Sequence, residues 1–284
     1  MSRPILGATS APYVLLAPFV VLFLVFGLFP IGFSFVLMFH TWDPVQGIEA
    51  MQYVGTENLV FAVGDPLLWT SLYNTLWLAV VSGVPQHLVA IPLAYLINEK
   101  RGRWRNTAMG VYFLPYITST VAVAIMFATL FSTDYGAVNA LLQTLASQAG
   151  LRDWLPAQAI DWLGQPETIK PVLSLVIFWR YVGFNTMLYV AAMQSIPRDL
   201  YEAAVLDGAG PWRVFWHITL PQLRPMMYFG VTLTLIGGLQ LFEEPFILTG
   251  GKGGIEYAGM TTALYMYRTA FEFSDFGLAS AISW

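Results

Sequence analysis

Residues 72–97 read LYNTLWLAVVSGVPQHLVAIPLAYLI and contain no Asp, Glu, Lys or Arg. A helix needs roughly 20 apolar residues to cross the hydrocarbon core of a bilayer. This stretch therefore predicts a membrane-spanning helix. Its prolines Pro85 and Pro92 are compatible with a span, because neighbouring helices can satisfy the backbone groups that a proline frees.

Other apolar stretches of similar length lie on both sides of this one. A sixth begins near Phe276 and stops at Trp284, after far fewer residues than a bilayer crossing requires. The sequence predicts an all-α membrane protein, one transmembrane domain over residues 1–284, with six spans of which the sixth is cut short. The remaining predicted spans are 13–39, 109–131, 169–193 and 226–248.

The composition supports a membrane protein and excludes several other classes. Hydrophobic residues make up 57% and charged residues 11%, and the mean hydropathy is +0.61, too apolar for the surface of a soluble domain of this size. The absence of cysteine excludes disulfides and thiolate metal sites. The net charge of −4 gives no indication of nucleic-acid binding. We expect no metal and no cofactor.

Basic residues predict the orientation in the membrane, because they concentrate in cytoplasmic loops. Eight of the 13 Lys and Arg residues fall on one side of the predicted spans. That side holds the amino terminus, which we expect to be cytoplasmic, and the loop of residues 197–225. Segments 40–70, 132–168 and 249–275 would then face outward. The eight are Arg3, Lys100, Arg101, Arg103, Arg105, Arg198, Arg213 and Arg224.

The loop of residues 197–225 is patterned rather than a plain connector. Pro197 can begin a short helix and Gly208 can end it. Pro211 can begin a second one with an aromatic face. Two interpretations remain open from the residues alone: a docking element for a soluble partner, or aromatics at the lipid interface beside solvated charges. The shared face of the first helix comprises Leu200, Ala203, Ala204 and Asp207, and the aromatic face of the second comprises Trp212, Phe215 and Trp216.

Three motifs in this loop follow one another: Glu202-Ala203-Ala204, Asp207-Gly208-Ala209, and Ile218-x-Leu220-Pro221-x-Leu223-x-Pro225. Together they resemble the EAA signature of membrane subunits in binding-protein-dependent ABC importers. The resemblance implies that the loop docks into a dimer of cytoplasmic ATPase subunits. It also implies a second homologous permease and an extracytoplasmic solute-binding protein as partners.

The same resemblance implies individual roles within the loop. Glu202 would meet a basic residue of the ATPase, and Ala203 and Ala204 would pack against that subunit. Gly208 would form the turn between the helical arms. Asp207, Leu220 and Pro221 also match the motif.

A less specific resemblance covers residues 242–251 and 259–280. These segments are similar to carbohydrate-importing members of the family, such as the maltose-type permeases, and imply a sugar or oligosaccharide as the solute. Members of that family normally complete a sixth span, from which this sequence departs.

Charged and aromatic residues inside the predicted spans suggest a translocation path. Intramembrane charges usually face a cavity or pair with each other. Carboxylates can accept hydrogen bonds from sugar hydroxyls, and aromatic rings can stack on sugar faces. The alternatives are a structural ion pair or glutamates that point into headgroup water. The candidates are Arg180, Glu243 and Glu244, with the rings of Trp179, Tyr181 and Phe242.

The sequence therefore predicts a permease subunit that imports a solute and performs no chemistry itself. Residues 250–253 resemble a phosphate loop, but residue 246 is Phe and residue 253 is Gly, where that motif needs Gly and Ser or Thr. The alternative from another class of protein is a stand-alone secondary transporter or channel. That alternative would leave the loop of residues 197–225, the Glu202 loop, unexplained. An intramembrane enzyme is the third hypothesis, and the chain lacks a His-Glu-x-x-His motif for it.

Overall fold

The computed structural model describes residues 11–100, 102–150 and 158–284. Arg3 and Arg101, which enter the orientation argument, lie outside the described residues. Contacts within the chain divide it into two units, Met1–Leu68 with Tyr265–Trp284, and Trp69–Leu264.

Helices dominate the described residues. Short π-helical turns at Leu24–Leu28 and Phe215–Thr219 interrupt the α-helical runs. The elements, in chain order, are α1 (Ala11–Phe23), α2 (Phe29–Leu37), β1 (His40–Thr41), β2 (Gln52–Tyr53), α3 (Glu57–Gly64), α4 (Pro66–Glu99), α5 (Arg103–Ile117), α6 (Thr120–Leu130), α7 (Ala137–Gln148), α8 (Pro166–Gln194), α9 (Arg198–Leu206), α10 (Pro211–Val214), α11 (Leu220–Gln222), α12 (Arg224–Leu239), α13 (Glu243–Leu248), α14 (Thr262–Phe271) and α15 (Phe276–Ser283).

The first unit packs α15 against α2 and α3. Its two short strands are antiparallel, with His40 opposite Tyr53. The Asn58 side chain donates hydrogen bonds to the carbonyls of Met38 (3.1 Å) and His40 (2.9 Å), which joins α3 to the chain after α2. Tyr265 donates a hydrogen bond to Asp65. Burial and that bond raise the pKa of Tyr265 above its ordinary value, so it stays a donor at neutral pH.

Four helical segments among the described residues are long and apolar enough to cross a membrane: Pro12–Leu37, Pro66–Glu99, Pro166–Gln194 and Arg224–Leu248. They contain or closely match the spans predicted at 13–39, 72–97, 169–193 and 226–248. A fifth is obtained if α5 and α6 count as one span. The number of six spans stays a prediction.

The third predicted span, 109–131, is two helices rather than one. Its halves α5 and α6 meet at an angle of 91°. Thr118 and Ser119 adopt extended backbone between them, with ψ of 145° and 128°. The Thr118 hydroxyl donates to the Leu114 carbonyl at 2.8 Å, a side-chain bond that competes with helix continuation. Pro115, in the last turn of α5, has no backbone N–H and therefore cannot donate a helical hydrogen bond.

The second unit has two apolar cores. One core joins α4, α6 and α8, and the other joins α4 and α8 to the loop that precedes α12. The first includes Leu78, Val123, Phe127, Leu173 and Val176, and the second includes Ala90, Ala94, Tyr189, Val190, Met193, Phe215 and Leu223.

Helices α5 and α8 pack closely at Gly183. A Cβ atom there would overlap the carbonyl oxygen of Tyr112. A backbone atom cannot rotate away as a side chain can, so only glycine permits this distance between the helices.

We predict that Gly183→Ala destabilises the protein, because the added methyl group forces α5 and α8 apart at a cost of about 1–3 kcal/mol. Gly110→Ala is the matched control, since no atom other than those of its chain neighbours and its own helix backbone lies within 4 Å of its Cβ position. Thermal unfolding of the two purified variants tests this. Equal unfolding midpoints would contradict the packing described for Gly183.

Candidate functional site

Helix α9 presents the Glu202 side of the loop to solvent. Pro197 precedes it in an extended conformation, and Asp199 lies in its first turn, where a negative charge is favourable. Glu202 and Ala203 are exposed, and Ala204 is half-buried. The predicted short helix after Pro197 is therefore present, and the motif glutamate is accessible to solvent.

Gly208 ends α9 with a left-handed backbone. Its φ is +76°, and its N–H donates to the Val205 carbonyl at 3.0 Å. The N–H of Ala209 reaches back to the Ala204 carbonyl at 2.9 Å. This pair of bonds is the Schellman arrangement, which favours glycine. Since nothing lies within 4 Å of the Cβ position, the backbone conformation rather than lack of space requires glycine here. Asp207, just before it, is exposed.

The part of the loop that follows Gly208, its return arm, is anchored to the rest of the protein. Phe215 is buried and its ring packs edge-on against Tyr95 at 5.1 Å. The hydroxyls of Tyr201 and Thr219 lie 3.2 Å apart, which links α9 to the return arm. Leu220 packs on the adjacent apolar core, and Pro221 occupies the start of α11. These contacts hold α9 in one orientation.

Exposed apolar and charged side chains surround the motif. Val205 and Leu206 are 67% and 88% exposed, and Trp212 is 73% exposed. A cleft of about 780 Å³ opens beside Glu202. Its charged lining is mixed, with Glu99, Arg105, Arg198 and Glu202.

Arg180 and Glu244 form a buried ion pair. Arg180 Nη1 lies 2.7 Å from Glu244 Oε1, and the two side chains are 12% and 3% exposed. Arg180 also donates to the Tyr181 hydroxyl at 3.4 Å. Glu243, by contrast, is exposed. The neighbouring glutamates thus occupy different environments, one paired and one open.

The ion pair borders a cavity of about 310 Å³, which Phe242 and Glu243 also line. A second cavity, of about 270 Å³, continues from it between α4, α5, α8 and α12. The two share Tyr181, Gly237 and Leu241 in their walls. Together they form a space within the membrane-spanning helices that is lined by polar, aromatic and aliphatic side chains. Trp179 lies outside both linings, and its ring packs edge-on against Phe127 at 5.2 Å.

Neutral polar residues that sequence analysis missed line the second cavity. Gln86 and Asn185 are 2% and 1% exposed, and Asn185 donates to the Gln86 side chain at 3.0 Å. The Asn185 Oδ1 atom has no hydrogen-bond partner among the described residues. The available signal was an uncharged amide within an apolar span, whereas the sequence argument considered only charges. Ser82, Thr234, Tyr116 and Phe184 also line this cavity, and sequence analysis missed them too.

Metal binding has no support in the described part of the chain, where no three His, Asp or Glu side chains are grouped as ligands. The candidate sites are therefore a solvent-facing loop and an intramembrane cavity. This combination is typical of a helical membrane protein that has a binding space between its membrane-spanning helices.

Comparison with known proteins identifies the family. Residues 88–283 match the family described as binding-protein-dependent transport system inner membrane component. The lactose transport system permease protein LacF of Rhizobium radiobacter is 34% identical over 273 residues, covering 96% of this chain and 87% of that protein. The arabinooligosaccharides transport system permease protein AraP of Bacillus subtilis is 33% identical over 281 residues, with 96% and 82% covered.

A solved structure supports the same assignment. The crystal structure of a bacterial alginate ABC transporter, in complex with an alginate pentasaccharide-bound periplasmic protein, contains a chain that superposes with a TM-score of 0.80. That chain is 26% identical, and the match covers 96% of this chain and 87% of that one.

The chain therefore belongs to the family of binding-protein-dependent inner membrane transport components. It is a permease subunit of an ABC importer, located in the membrane, and not an enzyme. This confirms the family, the helical fold class and the transport function predicted from the sequence.

We predict that Glu244→Ala reduces the amount of folded protein, because it leaves Arg180 charged and unpaired in a buried position. Loss of one partner of a buried pair costs about 3–5 kcal/mol. The double variant Arg180→Met with Glu244→Leu should recover folded protein, since it removes both charges. Glu243→Ala is the neighbouring control and should fold normally because Glu243 is exposed. Membrane yield and thermal stability measure this, and a Glu244→Ala variant as stable as Glu243→Ala would contradict it.

Proposed function

We propose that this permease carries a sugar or oligosaccharide across the bacterial cytoplasmic membrane. Two kinds of observation support a saccharide. The named relatives transport lactose and arabinooligosaccharides, and the structural neighbour is an alginate transporter. The intramembrane cavity also combines hydrogen-bonding side chains with aromatic rings, which suits a polyhydroxylated solute with apolar ring faces.

The cytoplasmic side is the side of the Glu202 loop. The short segment 100–105 carries four basic residues and lies beside two predicted spans, and such residues concentrate on the cytoplasmic side. In this orientation the amino terminus is cytoplasmic, and the segments 40–70, 132–168 and 249–275 face outward. An extracytoplasmic solute-binding protein would deliver the solute to those outer segments.

The loop formed by α9 and its return arm couples the permease to a dimer of ATPase subunits. The observation that carries this proposal is the geometry of α9: an exposed helix, fixed at its end by Gly208 and at its side by Tyr201. Glu202 supplies a charge for a basic partner, and Ala203 and Ala204 allow close approach. Asp207 adds a second exposed carboxylate at the end of α9, while Leu220 and Pro221 fix the return arm to the membrane helices.

The solute path runs through the two joined cavities. Arg180 and Glu244 form its outer wall as an ion pair, and Glu243 offers an open carboxylate to solute hydroxyls. Tyr181 and Phe242 line the space, so the proposal assigns ring stacking to them rather than to Trp179. One permease supplies half of such a path, and a second homologous permease supplies the other half.

Coupling is tested by two substitutions in the loop. Glu202→Lys should reduce ATPase stimulation by roughly ten-fold or more, because like charges across an interface repel. Gly208→Val should have a similar effect, since a left-handed backbone costs an L-residue roughly 1–2 kcal/mol and the helical arms would be displaced. Gly208→Asn is the matched control, because asparagine tolerates this conformation, and it should retain most of the stimulation.

The assay is ATP hydrolysis by the complete complex in proteoliposomes, with and without its loaded solute-binding protein. Insertion of the variants should match that of the wild type, because Glu202 and Gly208 are exposed and lie outside the membrane-spanning helices. Full stimulation and full uptake by both Glu202→Lys and Gly208→Val would exclude the loop as the coupling element.

A further inference from the structure

His87 connects three membrane-spanning helices of the second unit. Its Nδ1 atom lies 2.7 Å from the Tyr189 hydroxyl on α8, and its Nε2 atom lies 3.1 Å from the Thr234 hydroxyl on α12. A neutral imidazole has one donor and one acceptor nitrogen. Each hydroxyl can take either role, so both ring nitrogens are satisfied without a charge.

Close packing surrounds His87, Tyr189 and Thr234, which together form a three-residue layer. Tyr189 is fully buried. A Cβ atom at Gly230 on α12 would lie 3.0 Å from the Tyr189 hydroxyl and 3.5 Å from the His87 ring. The glycine therefore lets α12 approach the Tyr189 side chain closely. The layer leaves little space beside its hydrogen bonds.

The layer lies at the end of the intramembrane cavity that faces the loop, where Thr234 itself lines the cavity. Along α8, Tyr181 and Asn185 line the cavity, and Tyr189 follows one turn later toward α9. Along α4, Gln86 lines the cavity and His87 is the next residue. Beyond the layer, toward the loop, comes the apolar core that contains Ala90, Ala94, Val190, Met193 and Leu223.

We infer that His87, Tyr189 and Thr234 form the barrier that closes the cavity on the side of the Glu202 loop. The inference rests on the proposed function, since the barrier has meaning only on a solute path. A solute that leaves the cavity toward the loop must separate these three side chains. Separation exposes an imidazole and two hydroxyls, and a polyhydroxylated solute can hydrogen-bond all three while it passes. His87 is a positioning residue here: it holds α4, α8 and α12 together.

The native chain contains no cysteine, which permits a direct accessibility test. Ser82 lines the cavity and is 3% exposed, so Ser82→Cys places one thiol of this chain inside it. The complete complex is kept in native membranes without ATP. A charged, membrane-impermeant methanethiosulfonate is added to inside-out or right-side-out vesicles, and labelling of this chain is followed by mass.

Removal of one hydrogen bond should open the barrier. Tyr189→Phe, added to Ser82→Cys, should raise the labelling rate from the loop side about ten-fold, the shift expected for loss of one buried hydrogen bond. The rate from the opposite side should stay the same. Thr234→Val should act in the same direction, and it carries the test if Tyr189→Phe is not recovered from membranes. Tyr112→Phe is the matched control, because Tyr112 lies on α5, outside the layer and outside both cavities, and it should leave both rates unchanged.

Two results would overturn the inference. One is an unchanged loop-side rate in both Tyr189→Phe and Thr234→Val. The other is an equal rise from both sides, which would indicate general loosening of the helices rather than an opened barrier. Neither result depends on ATPase stimulation, so a failure of this inference is distinguishable from a failure of the proposed coupling role.

Discussion

A polar side chain within the hydrocarbon core has no bulk water to bond, so it must find its partner inside the protein. The second unit meets this constraint with bonds between different helices. Arg180 pairs with Glu244 at 2.7 Å, Asn185 donates to Gln86, and His87 joins Tyr189 to Thr234. These bonds tie α4, α8, α12 and α13 together. They also concentrate polar groups along one interior strip, and the two joined cavities lie on that strip.

The loop depends on the same helices, because α8 leads directly into it. Helix α8 carries Arg180, Asn185 and Tyr189, ends at Gln194, and is followed after three residues by α9. The left-handed turn at Gly208 reverses the chain, and the Tyr201–Thr219 contact binds α9 to the return arm. The loop is therefore joined directly to the ends of α8 and α12. A partner that displaces α9 would pull on the helices that enclose the cavity.

The sequence predicted features that depend on local pattern. Span 169–193 lies within α8, and Gly208 ends a short helix as its position after a patterned segment indicated. Features that depend on distant partners were not predictable. Arg180 meets Glu244 across 64 positions of sequence, and the partners of His87 are 102 and 147 positions away from it. The break at Thr118 and Ser119 was missed because apolar length alone does not reveal backbone direction. Trp179 was placed on the path by its type, although its ring packs on Phe127.

Chemical cross-linking at α9 would test most directly whether this loop is where ATP hydrolysis acts on the permease. Ala203→Cys gives this chain a single exposed thiol on α9, and a short thiol–amine cross-linker in the complete complex should join it to the ATPase subunit. Glu256→Cys, also exposed but in a predicted outer segment, should give no such product. An ATPase adduct from Ala203→Cys alone is the expected result. No adduct from Ala203→Cys, or an equal yield from Glu256→Cys, would contradict the coupling role of the Glu202 loop.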